Sequence, residues 1–162
     1  MAGARIVIVN FNAGDNLRRC MAALLAQTET DFEVRIVDNA STDGSLQYVP
    51  RDDRFLVVHA GSNIGFSAGC NLGARECAAP FIVFLNPDAF PEPGWLEALL
   101  RAAKSHPDAA MFGSLQISAT DGAASATMGE RLMTQAPASV QVHARALGGE
   151  TMLLRERRPA GT

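Results

Sequence analysis

Four short polar segments carry the residues able to do chemistry in this chain. They are Asn10-Phe11-Asn12, Asp38-Asn39-Ala40-Ser41-Thr42-Asp43, Gly61-Ser62-Asn63-Ile64-Gly65-Phe66 and Asn86-Pro87-Asp88. Asp38 and Asp88 offer hard anionic oxygens of the kind that hold Mg2+ or Mn2+. Neither a GxGxxG loop nor a Walker loop is present, so a bound phosphate would need such a cation. Each residue also has a plain use in local structure. Asp38 and Asp43 suit turns and caps, Asn63 and Gly65 suit a left-handed turn, Asp88 follows a proline, and Phe11 suits a core. Asn71 is a poor helix former inside a helical stretch, which fits a buried cap as well as a functional side chain. His59, His106 and His143 show no partner pattern, and no serine lies in a nucleophile elbow.

Each of the four segments follows an apolar stretch. Arg5–Asn10 and Glu33–Asp38 are β-branched runs of the kind buried on both faces of a sheet, and Arg54–His59 and Pro80–Asn86 read as two further strands. Between the first two, Asp15 is placed to cap a helix with a buried face of Leu17, Cys20, Met21, Leu24 and Leu25. Asp43 is placed to cap a short helix running to Val49. The segment from Gly61 to Ala78 is a loop entering a helix. Trp95–Ser105 reads as a helix, Ala109–Ser118 as a fifth strand, Thr120–Gly122 as a hairpin turn, and Glu150–Arg155 as a last strand. The Ala-rich stretch 119–146 has little pattern. Strand and helix in alternation predict a mostly parallel α/β sheet, and ligands of such sheets sit at the carboxyl ends of the strands, where the four segments fall.

Composition narrows the class. At 162 residues the chain matches about one domain, with 48% hydrophobic and 19% charged residues. That excludes a disordered tail, a fibre and a disulfide-stapled mini-protein. The net charge of −3 argues against nucleic acid as a partner. Acids outnumber bases over the first hundred residues, and the order reverses afterwards. Cys20, Cys70 and Cys77 match neither a zinc site nor a disulfide framework. Cys70 and Cys77 share a helical face, so buried free thiols in a reducing cytoplasm are expected. No run resembles a signal peptide or a membrane span.

Taken in order, VIVNFN, VDNASTDGS, NIGFSAGCNLG, FLNPDA and PGWLEALL resemble family 2 glycosyltransferases, and among them the bacterial rhamnosyltransferase type. The resemblance runs from Arg5 to about Gly113 and weakens toward Arg155. It implies the GT-A fold, a nucleotide-binding αβα sandwich with a mostly parallel sheet. Residues 1–118 would form the core that binds the nucleotide-sugar donor, and 119–162 the start of an acceptor-side half. Phe11 matches the aromatic residue that packs on the nucleotide base, and Asp38 the aspartate that hydrogen-bonds it. Asp43 belongs to the same loop. Gly65 and Asn71 match the segment approaching the donor from the other side. Asn86-Pro87-Asp88 stands in the place of the family's DxD motif, with an amide that can face a ribose hydroxyl and with Asp88 as the ligand for Mg2+ or Mn2+.

The implied reaction moves a sugar from a UDP- or dTDP-linked donor to a hydroxyl of a glycan or lipid-linked acceptor in cell-surface polysaccharide synthesis. One displacement, assisted by a divalent cation, would invert the anomeric carbon. A cytoplasmic protein at the inner membrane face fits such an acceptor. The family's general base lies in a Glu-Asp motif past a GGFDE stretch. This chain reaches Gly148-Gly149-Glu150 and ends shortly after, so the base is expected to be absent from it, and Glu150 is not assigned that role. Apolar surface left by a missing half would favour homo-oligomers. A module that binds the donor without transferring is the alternative. A nucleotidyltransferase would want a basic glycine-rich loop after the first strand, which FNAGDN is not, and a flavodoxin-like interaction domain is the generic reading.

Overall fold

Four β-branched residues in a row, Ile6, Val7, Ile8 and Val9, flanked by Arg5 and Asn10, extend the chain at once. In the computed structural model, which describes residues 2–117, 124–125, 139–147 and 151–155, that run lies within β1 (Ala4–Asn10), and all seven residues of the strand are buried. Then come α1 (Asp15–Leu25), β2 (Phe32–Asp38), a 3-10 turn (Ser45–Tyr48), β3 (Phe55–His59), α2 (Phe66–Ala74), β4 (Phe81–Leu85), β5 (Phe90–Pro91) and α3 (Trp95–Ser105). The described remainder holds β6 (Met111–Ile117), β7 (Ala124–Ser125), β8 (Ser139–Leu147) and β9 (Thr151–Arg155).

One sheet contains all nine described strands, in the order β3-β2-β1-β4-β9-β6-β8-β5, with β7 beside β6. The first four are parallel, as the alternation of strands and helices predicts. Beyond β4 the sheet is mixed: β9 runs antiparallel between β4 and β6, while β6 and β8 are parallel. The α/β expectation therefore holds. The hairpin turn at 120–122 and residues 148–150 lie outside the described residues.

The two faces of β1 take different partners. Ala4, Ile6 and Ile8 join Leu17, Cys20, Met21 and Leu24 of α1 and Leu96, Leu99 and Ala103 of α3 in a single apolar core. Val7 and Val9 face α2 across glycines. A Cβ on Gly69 would lie 2.8 Å from Val9 Cγ1, and one on Gly73 only 2.4 Å from Val7 Cγ1. Those two positions must be bare for α2 to lie this close to the sheet. Arg5 shares that face. Its Nε donates to Glu33 Oε1 at 2.6 Å and its Nη1 to the Arg75 carbonyl at 2.7 Å, so a buried guanidinium closes the C-terminal end of α2. Gln27 does the reverse service for α3, its Oε1 accepting from Leu96 N at 3.0 Å while its Nε2 donates to the Glu92 carbonyl at 2.8 Å.

Several local expectations are corrected. Asp15 does not cap α1: Gly14 takes that position at φ 54°, and Asp15 instead pairs with Arg18 one turn on. Leu25 turns outward and is exposed, because α1 ends there and its buried face closes at Leu24. Asp43 does not cap the turn after it, whose N-cap is Gly44 in the left-handed region; its Oδ1 accepts from Ser45 N at 3.0 Å in a local turn. Cys77 lies beyond the end of α2, so it shares no helical face with Cys70. Only Cys20 is buried, and all three thiols are free. Asn71 is exposed, which removes the buried-cap reading.

Candidate functional site

Each of the first three strands ends on a polar residue after an apolar run, and the register sets these three side by side. Asn10 pairs with Asp38 and Asp38 with His59. In a parallel sheet, neighbours in register point to the same face. The result is a polar row across three strands. Asn10 Nδ2 lies 3.4 Å from Asp38 Oδ1, and His59 Nδ1 lies 3.5 Å from Asp38 Oδ2. Asn10 and Asp38 are buried, while His59 is exposed at the rim.

The loop after β2 is pinned to the loop after β1 by a set of short bonds. Asn39 N donates to the Asn10 carbonyl at 2.8 Å, and Asn10 Nδ2 donates to Ser41 Oγ at 2.9 Å and Ser45 Oγ at 3.0 Å. Asn12 N donates to Ser41 Oγ at 3.1 Å, and Asn12 Oδ1 accepts from Thr42 N at 2.8 Å. Gly14 N donates to Asp43 Oδ2, also at 2.8 Å. Hydrogen bonds from Ser45, the largest influence, hold the Asp43 carboxyl below the usual carboxylate range, with Gly14 N adding to them. It stays ionised and keeps both ties.

A third loop joins from the other side. Asn39 Nδ2 donates to the Gly65 carbonyl at 3.3 Å, and Asn63 Oδ1 accepts from Gly65 N at 3.0 Å. Gly65 sits at φ 82°, where a side chain would be strained, and α2 starts at the next residue. Phe11 and Ile64 stand exposed on these loops, and Phe66 at the first position of α2. An aromatic ring in water at a polar cleft is a ready stacking surface. The Asn10 and Asn39 Oδ1 atoms are buried without a partner among the described residues.

Phe11, Asp38, Asp43 and Gly65 are thus drawn onto one linked set of loops. Asn86 and Asp88 share the carboxyl edge, one strand over, since β4 lies beside β1. No hydrogen bond among the described residues ties them to the other loops. The Asn86 carbonyl faces Cys20 Sγ at 3.9 Å, and burial pushes that thiol up to about 12, so it stays protonated and inert behind the loop. Asp88 is exposed, with no hydrogen bond or ion pair among the described residues. Asn71 lies along the exposed side of α2 and takes no part in the linked loops.

Comparison with known proteins decides the family. Residues 5–141 match Glycosyl transferase family 2. The chain belongs to that family. The N-acetylglucosaminyl-diphospho-decaprenol L-rhamnosyltransferase of Mycobacterium tuberculosis is 34% identical over 122 residues, covering 68% of this chain and 40% of that protein. The uncharacterized glycosyltransferase YibD of Escherichia coli is 30% identical over 102 residues, covering 60% of this chain and 29% of that one. Among solved structures, S. aureus TarS superposes with a TM-score of 0.69 at 19% identity, over 79% of this chain and 39% of that chain. The Pyrobaculum calidifontis mannosyltransferase PcManGT, solved with GDP-Man and Mn2+, superposes with a TM-score of 0.65 at 20% identity, over 70% of this chain and 35% of that one. The fold is therefore that of the GT-A glycosyltransferases. This chain spans 40% or less of the length of each of these relatives.

Within this family 2 domain, sequence patterning points to the loops but passes over the residues that join them. It names Asn12, Asn39 and Ser41 only as members of their segments, finds no partner for His59, and leaves out Ser45. A signal for three of the polar positions does exist: VIVN, RIVD and VVH each end an apolar strand on a polar side chain, and equal strand phase sets those ends in one row.

Proposed function

We propose that this domain binds the donor of a glycosyltransferase, a UDP- or dTDP-linked sugar, and serves its transfer to a hydroxyl of a glycan or lipid-linked acceptor. The observation that carries the reading is the linked set of loops at the carboxyl edge, in a chain whose family transfers sugars. Phe11 packs on the base, and Asp38 accepts a hydrogen bond from it. Asp43 braces that loop. Gly65 and Asn71 approach from the α2 side, and Asn86 faces the ribose. Residues 1–118 form this donor core, and 119–162 begin the acceptor side.

Asp88 fits a divalent cation. Its carboxylate is exposed and makes no hydrogen bond or ion pair among the described residues. That suits Mg2+ or Mn2+, which take one or two carboxylates and complete their shell with substrate phosphates and water. A cation held by Asp88 would supply charge neutralisation for the departing diphosphate. The chain's own part is to hold the nucleoside while an acceptor oxygen attacks from the opposite side, inverting the anomeric carbon. No described residue is assigned as the general base. TarS has been solved with UDP-GlcNAc, and the M. tuberculosis relative is named for a lipid-linked acceptor; both support the substrate classes proposed here. A cytoplasmic site at the inner membrane face suits that acceptor, and no described helix is long and apolar enough to cross a membrane.

Calorimetry on the 162-residue chain tests the reading. UDP or dTDP should bind, more tightly with Mn2+, and less tightly to Asp38→Ala and Asp88→Ala. No binding of either nucleotide at millimolar concentration defeats it. Product formation from a UDP- or dTDP-sugar then separates transfer from binding alone.

A further inference from the structure

Asn12 stands at the corner between two walls of the proposed donor site. The residue before it is Phe11, and the loop it grips is the one that follows Asp38. Its backbone N donates to Ser41 Oγ at 3.1 Å and its side-chain Oδ1 accepts from Thr42 N at 2.8 Å, across about thirty residues of sequence. Asn12 is exposed and sits at φ 51°, in the left-handed region that asparagine tolerates better than most side chains. Three features thus meet at one residue: a backbone that favours Asn or Gly, a side-chain acceptor aimed at a specific amide, and a position next to the exposed ring of Phe11.

The gripped loop needs holding. Ala40 sits at φ 63° with no side-chain reason to be there. It lies between Asn39, whose N is held by the Asn10 carbonyl, and Ser41, whose N donates to Asp38 Oδ1 at 3.3 Å. A strained non-glycine residue persists where its surroundings over-determine it. The buried side of that grip is Asn10. The exposed side, next to any ligand, is Asn12.

We propose that Asn12 is a positioning residue for the nucleoside, fixing the distance between the Phe11 ring and the Asp38 carboxylate before the ligand arrives. This rests on the donor-site reading above. Preformed walls spare the ligand the entropy of ordering two loops. The chemistry served is recognition of a flat heterocyclic base with a ribose, independent of the diphosphate and of any cation.

Position 12 offers a clean test because the backbone and the side chain separate. Asn12→Gly keeps the left-handed backbone and the Ser41 contact but removes the acceptor for Thr42 N. Asn12→Asp keeps both. Its added charge would disturb a diphosphate, so the variants are compared with uridine and thymidine, by NMR titration of the labelled chain. Titration with UDP and Mg2+ first establishes the donor site in the unaltered chain. Asn12→Gly should weaken nucleoside binding roughly two- to tenfold, the scale of one net hydrogen bond, and Asn12→Asp should restore it. The Thr42 amide should lose hydrogen-exchange protection in the Gly variant alone, with the melting temperature of the free chain little moved. Unchanged nucleoside affinity in Asn12→Gly overturns the proposal while leaving the donor site standing. So does an affinity loss in both variants that tracks a general loss of stability. An unaltered chain that ignores UDP and dTDP overturns the donor-site reading and the positioning role with it.

Discussion

Replacing Gly73 with alanine should destabilise this domain, although the same change in an ordinary helix is stabilising. At a solvent-facing helical position, Gly→Ala gains about 1 kcal/mol from backbone entropy. At Gly73 the new Cβ would stand 2.4 Å from Val7 Cγ1, 3.0 Å from Val37 Cγ2 and 3.3 Å from Val7 Cγ2. Ordinary contact begins at 3.4 Å, so Val7 and α2 must separate by about 1 Å. Val7 cannot yield alone: it is buried, and its branched side chain has few rotamers. Overpacking of this kind costs about 1–3 kcal/mol, and a clash this close belongs in the upper part of that range. Subtracting the helical gain leaves a net loss of about 1–2 kcal/mol. Urea unfolding of the 162-residue chain, followed by circular dichroism, measures it. Val7→Ala opens room for the added methyl, so the double variant should lose less than the sum of the two single changes, by about 1 kcal/mol or more. A Gly73→Ala chain more stable than the parent, or strict additivity with Val7→Ala, refutes the claim that α2 is seated by its bare glycines.

Other outcomes follow from the same coordinates. Asp43 has its folded pKa depressed, chiefly by Ser45, so the stability it confers is present above the unfolded value and is lost as pH falls through the folded one. Acid should therefore loosen the tie to Gly14 only as pH drops below about 4, and Asp43→Asn should remove that dependence; carboxyl NMR titration reads it. Thiol reagents at neutral pH should modify Cys70 or Cys77 first and Cys20 only on unfolding, because burial pushes Cys20 to about 12 and a half-buried Cys70 to about 11. Mass spectrometry of the labelled peptides decides the order. Ala40→Gly should raise stability by roughly 0.5 kcal/mol, since relief of a left-handed alanine exceeds the entropy cost of glycine; a lower melting temperature counts against the strain.

The parallel half of the sheet was legible because its signals are local. β1 and β2 announce themselves as apolar runs, and α3 begins and ends where Trp95 and Ser105 predict. The mixed half was legible only in part: β6 and β9 fall where the runs 109–118 and 150–155 predict strands, while β5, β7 and β8 were not foreseen. β8 lies in a stretch whose composition says little, and it exists as a strand because β6 pairs along it, a partner more than twenty residues away. β5 is two residues long and is defined by its pairing with β8, far along the chain. At the candidate site the division is similar. That Phe11, Asp38, Asp43 and Gly65 lie at the carboxyl edge could be read from the runs before them. That Asn12 meets Thr42, or that Asn39 meets Gly65, depends on strand register and on left-handed residues, which propensity does not report.

Left-handed backbone marks this edge independently of any motif. Among the described residues seven have positive φ, and six of them, Asn12, Gly14, Ala40, Gly44, Gly61 and Gly65, follow β1, β2 or β3 at the carboxyl end. The seventh, Glu76, follows α2 and is held through its carbonyl by Arg5 at 3.4 Å. At the opposite edge, the connection leading into β2 has no such residue, and the one leading into β4 has Glu76 alone. A fold has no packing need to crowd left-handed residues on one side of a sheet, because either side can turn a chain with ordinary geometry. What the crowding achieves is close approach of three loops with their amides and side chains turned inward, at the cost of two buried Oδ1 atoms left unpaired. The proposed donor site gives that combination of left-handed backbone and unpaired acceptors a use that the apolar core does not.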